Sequence, residues 1–114
     1  MESIYTYTTP SFTISFKESN VLTNYRKIVV SLKQDGITEI DKFEDDLEID
    51  LEQDTITVEF TQEETGKLFG GKPDDPNYAR IQVNIYYEDE DRNSTSTETI
   101  EVYSNLYEDV IGNE

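Results

Sequence analysis

The segment Leu47-Glu48-Ile49-Asp50-Leu51-Glu52, then Gln53-Asp54, then Thr55-Ile56-Thr57-Val58-Glu59-Phe60, alternates apolar and polar residues on both sides of a polar pair. Successive side chains of a β-strand point to opposite faces, so this pattern predicts a half-buried hairpin turning at Gln53-Asp54. Leu47, Ile49 and Leu51 then share one face with Ile56, Val58 and Phe60, while Glu48, Asp50, Glu52, Thr57 and Glu59 face water. An apolar interior under an anionic skin follows from this one stretch.

The period of two recurs along the chain. Ile4 to Thr8 reads as a first strand that resumes after Pro10 with Phe12, Ile14 and Phe16 on one face, Pro10 marking a bend between edge segments. Tyr25 to Gln34 sends Ile28, Val30 and Leu32 inward, and Asp35-Gly36 supplies the positive-φ pair of a tight hairpin leading into Ile37 to Phe43. Thr61-Gln62-Glu63-Glu64 has capping-box spacing, which predicts one helical turn from Gln62 to Leu68 that tucks Leu68 or Phe69 under the sheets. Gly70 to Asn77 reads as a loop and as the most mobile segment. Tyr78 to Tyr87 is predicted as a central strand, with Ile81, Val83, Ile85 and Tyr87 on the core side and Arg80, Gln82, Asn84 and Tyr86 opposite. The polar tract Glu88 to Thr97 reads as a long hairpin tip, and Thr99 to Tyr103 returns with Ile100 and Val102 inward. Leu106, Val110 and Ile111 are expected to close one end of the core. Short strands at close spacing predict a single all-β domain over residues 1–114, an antiparallel sandwich of six to eight strands.

Composition narrows the function classes. The 26 acidic residues against 9 basic ones, net −17, repel phosphate backbones and anionic lipid, so neither direct nucleic-acid binding nor membrane binding is expected. The N-terminus lacks the basic and apolar regions of an export signal, and the protein is expected not to be Sec-exported. With no Cys and no His, neither a thiolate nor a nucleophile–imidazole pair can be assembled, and with no Trp the aromatic platforms of carbohydrate sites are missing. The expectation is a protein that is not an enzyme and takes no cofactor and no small-molecule substrate. Glu88-Asp89-Glu90-Asp91-Arg92-Asn93 and Asp74-Asp75 offer oxygen ligands but not the EF-hand spacing, so a solvated tip is expected there and no metal site is assigned.

Binding by surface remains, and the eight tyrosines draw attention to it. Tyr5 and Tyr7 are expected to share one face of the first strand, and Tyr86 and Tyr103 to point outward from neighbouring strands. The four form a candidate partner surface, because phenol rings offer amphipathic contact area. A different class of function would place the acids first. A decoy for the groove of a nucleic-acid-binding host defence protein needs carboxylates in rows that imitate a duplex, about one charge per 1.7 Å of axis. Glu48, Asp50 and Glu52 are the candidate row.

Five stretches carry a family resemblance: Thr9-Pro10-Ser11-Phe12-Thr13-Ile14, Val30-Ser31-Leu32-Lys33-Gln34, Thr57 to Thr65, Ile81-Gln82-Val83-Asn84-Ile85, and Leu106 followed by Val110-Ile111. In these the chain resembles small proteins encoded near tail genes in phages and prophages of low-GC Gram-positive bacteria. The resemblance implies an Ig-like β-sandwich that serves, without catalysis, as a virion or tail-associated structural component. It also implies partners among other phage proteins or self-association, and a place in the virion or in the host cytoplasm during assembly. It carries over no catalytic residue. The chain departs from the pattern at Gly66, where an apolar helix residue is expected, in a longer Gly70–Asn77 loop and in a more acidic surface.

Overall fold

In the computed structural model, which describes residues 2–16, 18, 20–34, 38–95 and 97–108, the quoted stretch forms an antiparallel pair. Its strands, called β5 (Leu47–Asp50) and β6 (Thr55–Glu59) from their place in the chain, are joined by a four-residue turn. Leu51 therefore does not face the core; it sits in the turn and is 59% exposed. Asp50 explains the earlier stop, because its carboxylate accepts the N–H groups of Glu52 and Gln53 at 3.0 and 3.1 Å and curls the chain out of the strand. Asp54 completes the turn at φ 52°. Ile49 lies opposite Ile56 and Leu47 opposite Val58, a register two residues from that of a turn at Gln53-Asp54 alone. A shift of two preserves the faces, so the other inward assignments stand.

Among the described residues nine strands form, more than the six to eight expected. Besides β5 and β6 they are β1 (Ser3–Tyr5), β2 (Ser11–Ser15), β3 (Tyr25–Gln34), β4 (Thr38–Phe43), β7 (Asn77–Tyr87), β8 (Arg92–Ser94) and β9 (Glu98–Tyr103). One surplus strand arises because the N-terminal run changes sheets between Thr6 and Pro10. Its first part, β1, lies parallel to β9, a departure from the purely antiparallel expectation, and its second part, β2, pairs antiparallel with β6. The other arises in the polar tract, where Arg92 to Ser94 folds back on Tyr86 to Asn84 instead of forming only a tip. The larger sheet runs β1-β9-β7-β3-β4, with β8 also on β7, and the smaller runs β2-β6-β5. β9-β7-β3-β4 against β2-β6-β5 is the G-F-C-C′ and B-E-D arrangement of an Ig-like sandwich.

The core lies between the sheets. Ile28, Val30 and Leu32 of β3, Val83 and Ile85 of β7, Ile100 and Val102 of β9, and Ile56 and Val58 of β6 are almost wholly buried, as their alternation predicts. β7 is central, flanked by β3 on one side and by β9 and β8 on the other. Leu106 does not close the core; it is fully exposed. Val110, Ile111 and the Asp35-Gly36 turn lie outside the described residues. On either side of that turn, Gln34 pairs with Thr38.

The Thr61 capping box forms as predicted and starts a helix, α1 (Gln62–Gly66). Thr61 Oγ1 accepts the Glu64 N–H at 3.2 Å and Glu64 Oε1 accepts the Thr61 N–H at 2.8 Å. Leu68 is the residue tucked in. Phe69 is held by its backbone, its N–H donating to Gln34 Oε1 at 2.7 Å and its C=O accepting from Gln34 Nε2 at 2.8 Å, so its ring turns outward. The following loop is bonded to the end of β9 and across itself. Gly71 N–H donates to Val102 C=O, Ser104 N–H to Gly71 C=O, and Lys72 and Asp75 exchange two backbone bonds.

Lys42 points inward from edge strand β4 and meets Glu64 at 2.7 Å. Burial pushes the Glu64 carboxyl up, but the hydrogen bond from Lys42, the Thr61 N–H and the Lys42 charge together hold it below its ordinary 4.5. A carboxyl lowered on folding stabilises the fold above its unfolded value and ceases to do so as pH falls through the folded value. Glu64→Gln is therefore expected to melt below the parent at pH 6, with the gap closing as the pH is lowered through and beyond 4.5. Melting curves of both proteins across that range, with a constant gap as the contrary result, check the assignment.

Candidate interaction surface

The four tyrosines do not form one patch. Tyr103, at the end of β9, lies just beyond the Asn77–Val102 pair, whereas Tyr86 is nine residues further along β7 from Asn77. At about 3.3 Å per residue the two lie roughly 30 Å apart, at opposite ends of the sheet. Tyr86 is moreover covered by Arg92, whose guanidinium carbon stands 5.0 Å from the ring centre. That guanidinium is fixed by two hydrogen bonds to Asn84 Oδ1, which also accepts from Ser94. Tyr86 thus serves a packed cation–π stack on its own sheet.

Tyr5 and Tyr103 do meet. β1 runs beside β9 with Tyr5 paired to Tyr103, and the rings lie 5.5 Å apart at 33°. Tyr103 Oη donates to Glu101 Oε2 at 2.9 Å. That hydrogen bond, followed by burial and the Glu101 charge, raises the phenol above its ordinary range and keeps it a neutral donor. Tyr78, on the neighbouring strand and half exposed, extends the aromatic group.

Tyr7 does not share a strand face with Tyr5, because β1 ends at Tyr5 and Tyr7 occupies the left-handed region at φ 59°. This conformation is uncommon for a bulky residue and persists only where neighbours impose it. Buried Thr65 does so: its hydroxyl accepts the Thr8 N–H at 3.1 Å and donates to the Thr8 C=O at 2.8 Å. Thr6 N–H bonds Tyr103 C=O, and Thr8 Oγ1 bonds Tyr5 C=O. The Tyr7 ring lies over Gly66, where an added Cβ would stand 2.5 Å from Cε1. A glycine at position 66 thus has a local reason, a seat for an aromatic ring.

Tyr5 and Tyr7 belong to a feature the alternation pattern hides. Residues 3–16 contain no charged side chain, in a chain whose net charge is −17. Because β1 and β2 are edges of the two sheets, this segment forms one flank of the sandwich. Counting charges along the chain, rather than apolar residues, would have found it. The acids lie elsewhere, and several have local duties. Glu44 accepts the Ile28 N–H at 3.0 Å and Asp54 the Asn20 N–H at 2.9 Å. With Asp50 turned into its own loop, Glu48, Asp50 and Glu52 do not continue as a straight strand row. Among the described residues no three acidic side chains converge in a way that could hold a metal ion, and no helix is long and apolar enough to cross a membrane.

No protein-family model matches the chain, and no curated protein matches it.

Proposed function

We propose that the protein is a non-catalytic assembly module of a phage particle, associated with its tail or baseplate, that works by protein–protein contact through the flank of residues 3–16. The observation that carries this reading is the partition of charge: an uncharged flank bearing Tyr5, Tyr7 and the neighbouring Tyr103 on an otherwise strongly acidic molecule. Tyr-rich, charge-depleted patches suit partner contact, and like charge disfavours close approach elsewhere. The phage setting rests on the sequence resemblance alone. A decoy needs an unbroken acidic row, and the turn at Asp50 weighs against one.

A photo-crosslinking residue at position 5, introduced in the cells that make the protein, is expected to capture a structural protein of the particle. The double variant Tyr5→Ser, Tyr103→Ser is expected to drop out of purified particles while melting within about 2–4 °C of the parent, as surface changes do. Capture of a nuclease or another defence protein, or particles that retain the double variant, would replace this reading.

A further inference from the structure

The flank has a second property, in its backbone. Phe60 N–H donates to Pro10 C=O at 3.0 Å where β6 meets the start of β2. Bonded and non-bonded pairs alternate along an antiparallel ladder, so Phe12 and Ile14 exchange bonds with Val58 and Ile56. Ser11, Thr13 and Ser15 then turn their N–H and C=O groups away from β6, to the edge of the small sheet. Edge strands are ordinarily guarded by charge, Pro or bulges. Edge strand β5 carries Glu48 and Asp50 and edge strand β4 carries Glu39 and Asp41, but β2 carries no charge at all. In an Ig sandwich a further strand, A, lies beside B. Here the chain's first strand runs along β9 instead, and among the described residues nothing pairs with the outer edge of β2.

Beside the C-terminal half of β2 a groove of about 550 Å³ opens between the sheets, with Ile14, Phe16, Val21, Ile81, Val83 and Ile85 in its walls. Among the described residues the charged ones that line it are Glu18 and Glu98, both acidic. Glu98 stands opposite Ile81, on the inward row of β9 that continues through Ile100 and Val102. A carboxylate at an inward position beside an apolar groove is complementary to a cation arriving with an apolar strand.

We propose that this edge receives an extended segment of a second protein, apolar at alternate positions and basic at its ends, which pairs with the main chain of β2 and lays its apolar side chains in the groove. This rests on the reading of the flank as a partner surface and names what the partner presents. A second copy fits less well: its own Phe12 and Ile14 are engaged in its own core, and it brings another −17 of charge.

The probe is the peptide Lys-Val-Thr-Val-Thr-Val-Lys, titrated into the full chain at low salt and followed by calorimetry. Saturable binding is expected, with weaker binding of the equally charged Lys-Thr-Thr-Val-Val-Val-Lys. Ser15→Pro removes an outward N–H without touching the β6 ladder and is expected to weaken binding about ten-fold or more, Ser15→Ala leaving it unchanged. Should Ser15→Pro fail to melt cooperatively, the pair Glu18→Lys, Glu98→Lys decides: it is expected to shift preference to Glu-Val-Thr-Val-Thr-Val-Glu. No saturable binding, equal binding of the two Lys-ended peptides, an undiminished affinity in folded Ser15→Pro, or unchanged preference after the charge swap overturns the inference. The Tyr5→Ser, Tyr103→Ser protein is expected to bind the peptide as the parent does. Failure of the strand contact and failure of the assembly reading are thereby separable.

Discussion

Val83→Asp is expected to abolish cooperative unfolding. Val83 lies on the central strand opposite Val30, is 2% exposed, and belongs to the buried apolar cluster, at the wall of the groove beside β2. A carboxylate there enters the apolar core cluster, and burying it unpaired costs several kcal/mol even when it takes up a proton. A domain of this size has about 5–15 kcal/mol of total stability, so one such change removes most or all of it. Circular dichroism on heating should show no sigmoidal transition, whereas Tyr78→Asp, on the outward row of the same strand, should melt cooperatively. A soluble Val83→Asp protein with a sharp melt would invalidate the inside–outside assignment of β7 and the packing of the two sheets built on it.

Phe60→Ala should have the next largest effect while leaving a folded protein. Phe60 follows β6 at the point where the chain leaves the small sheet for α1, and it is fully buried. Its ring meets Phe12 edge-on at 6.1 Å, and Lys42 Nζ stands 5.8 Å from its centre. Truncation leaves a cavity at the joint of both sheets and the helix, and such changes cost about 3–5 kcal/mol. For a domain of this length that corresponds to a melting temperature lower by roughly 10–20 °C. Phe60→Leu, which refills most of the volume, should recover more than half of the loss in denaturant titrations. A Phe60→Ala midpoint close to that of the parent would mean that the joint collapses without penalty.

Particular residues show why some features were legible and others were not. Ile28, Val30, Leu32, Val83, Ile100 and Val102 were readable because a strand whose one face is buried writes its burial at every second position. The Thr61–Glu64 box was readable because both partners lie within one turn of chain. Leu51 misled because alternation continues through it, while the carboxylate of Asp50 ends the strand one residue earlier. Arg92 to Ser94 gave no strand signal, since polar residues pairing at the border of a sheet have no buried face to record. Lys42, Thr65 and Gln34 were missed for a related reason: each is a polar residue buried by a partner far along the chain, Glu64, Thr8 and Phe69 respectively.

The interaction surface divides the same way. That Tyr5 and Tyr103 face outward is written in the period of two; that they touch while Tyr86 stands at the far end of the sheet follows from the parallel docking of β1 on β9 and the register of β9 on β7. The amino-acid sequence by itself determined the all-β class, the inward row of nearly every strand, the helical cap and the uncharged segment 3–16. Only the tertiary structure decided which edges stay open, where the groove beside β2 lies and which phenols become neighbours. Side-chain alternation is a local property of an extended chain, whereas strand order is set by closure of two sheets over one core, through contacts between residues as distant as Ile4 and Val102.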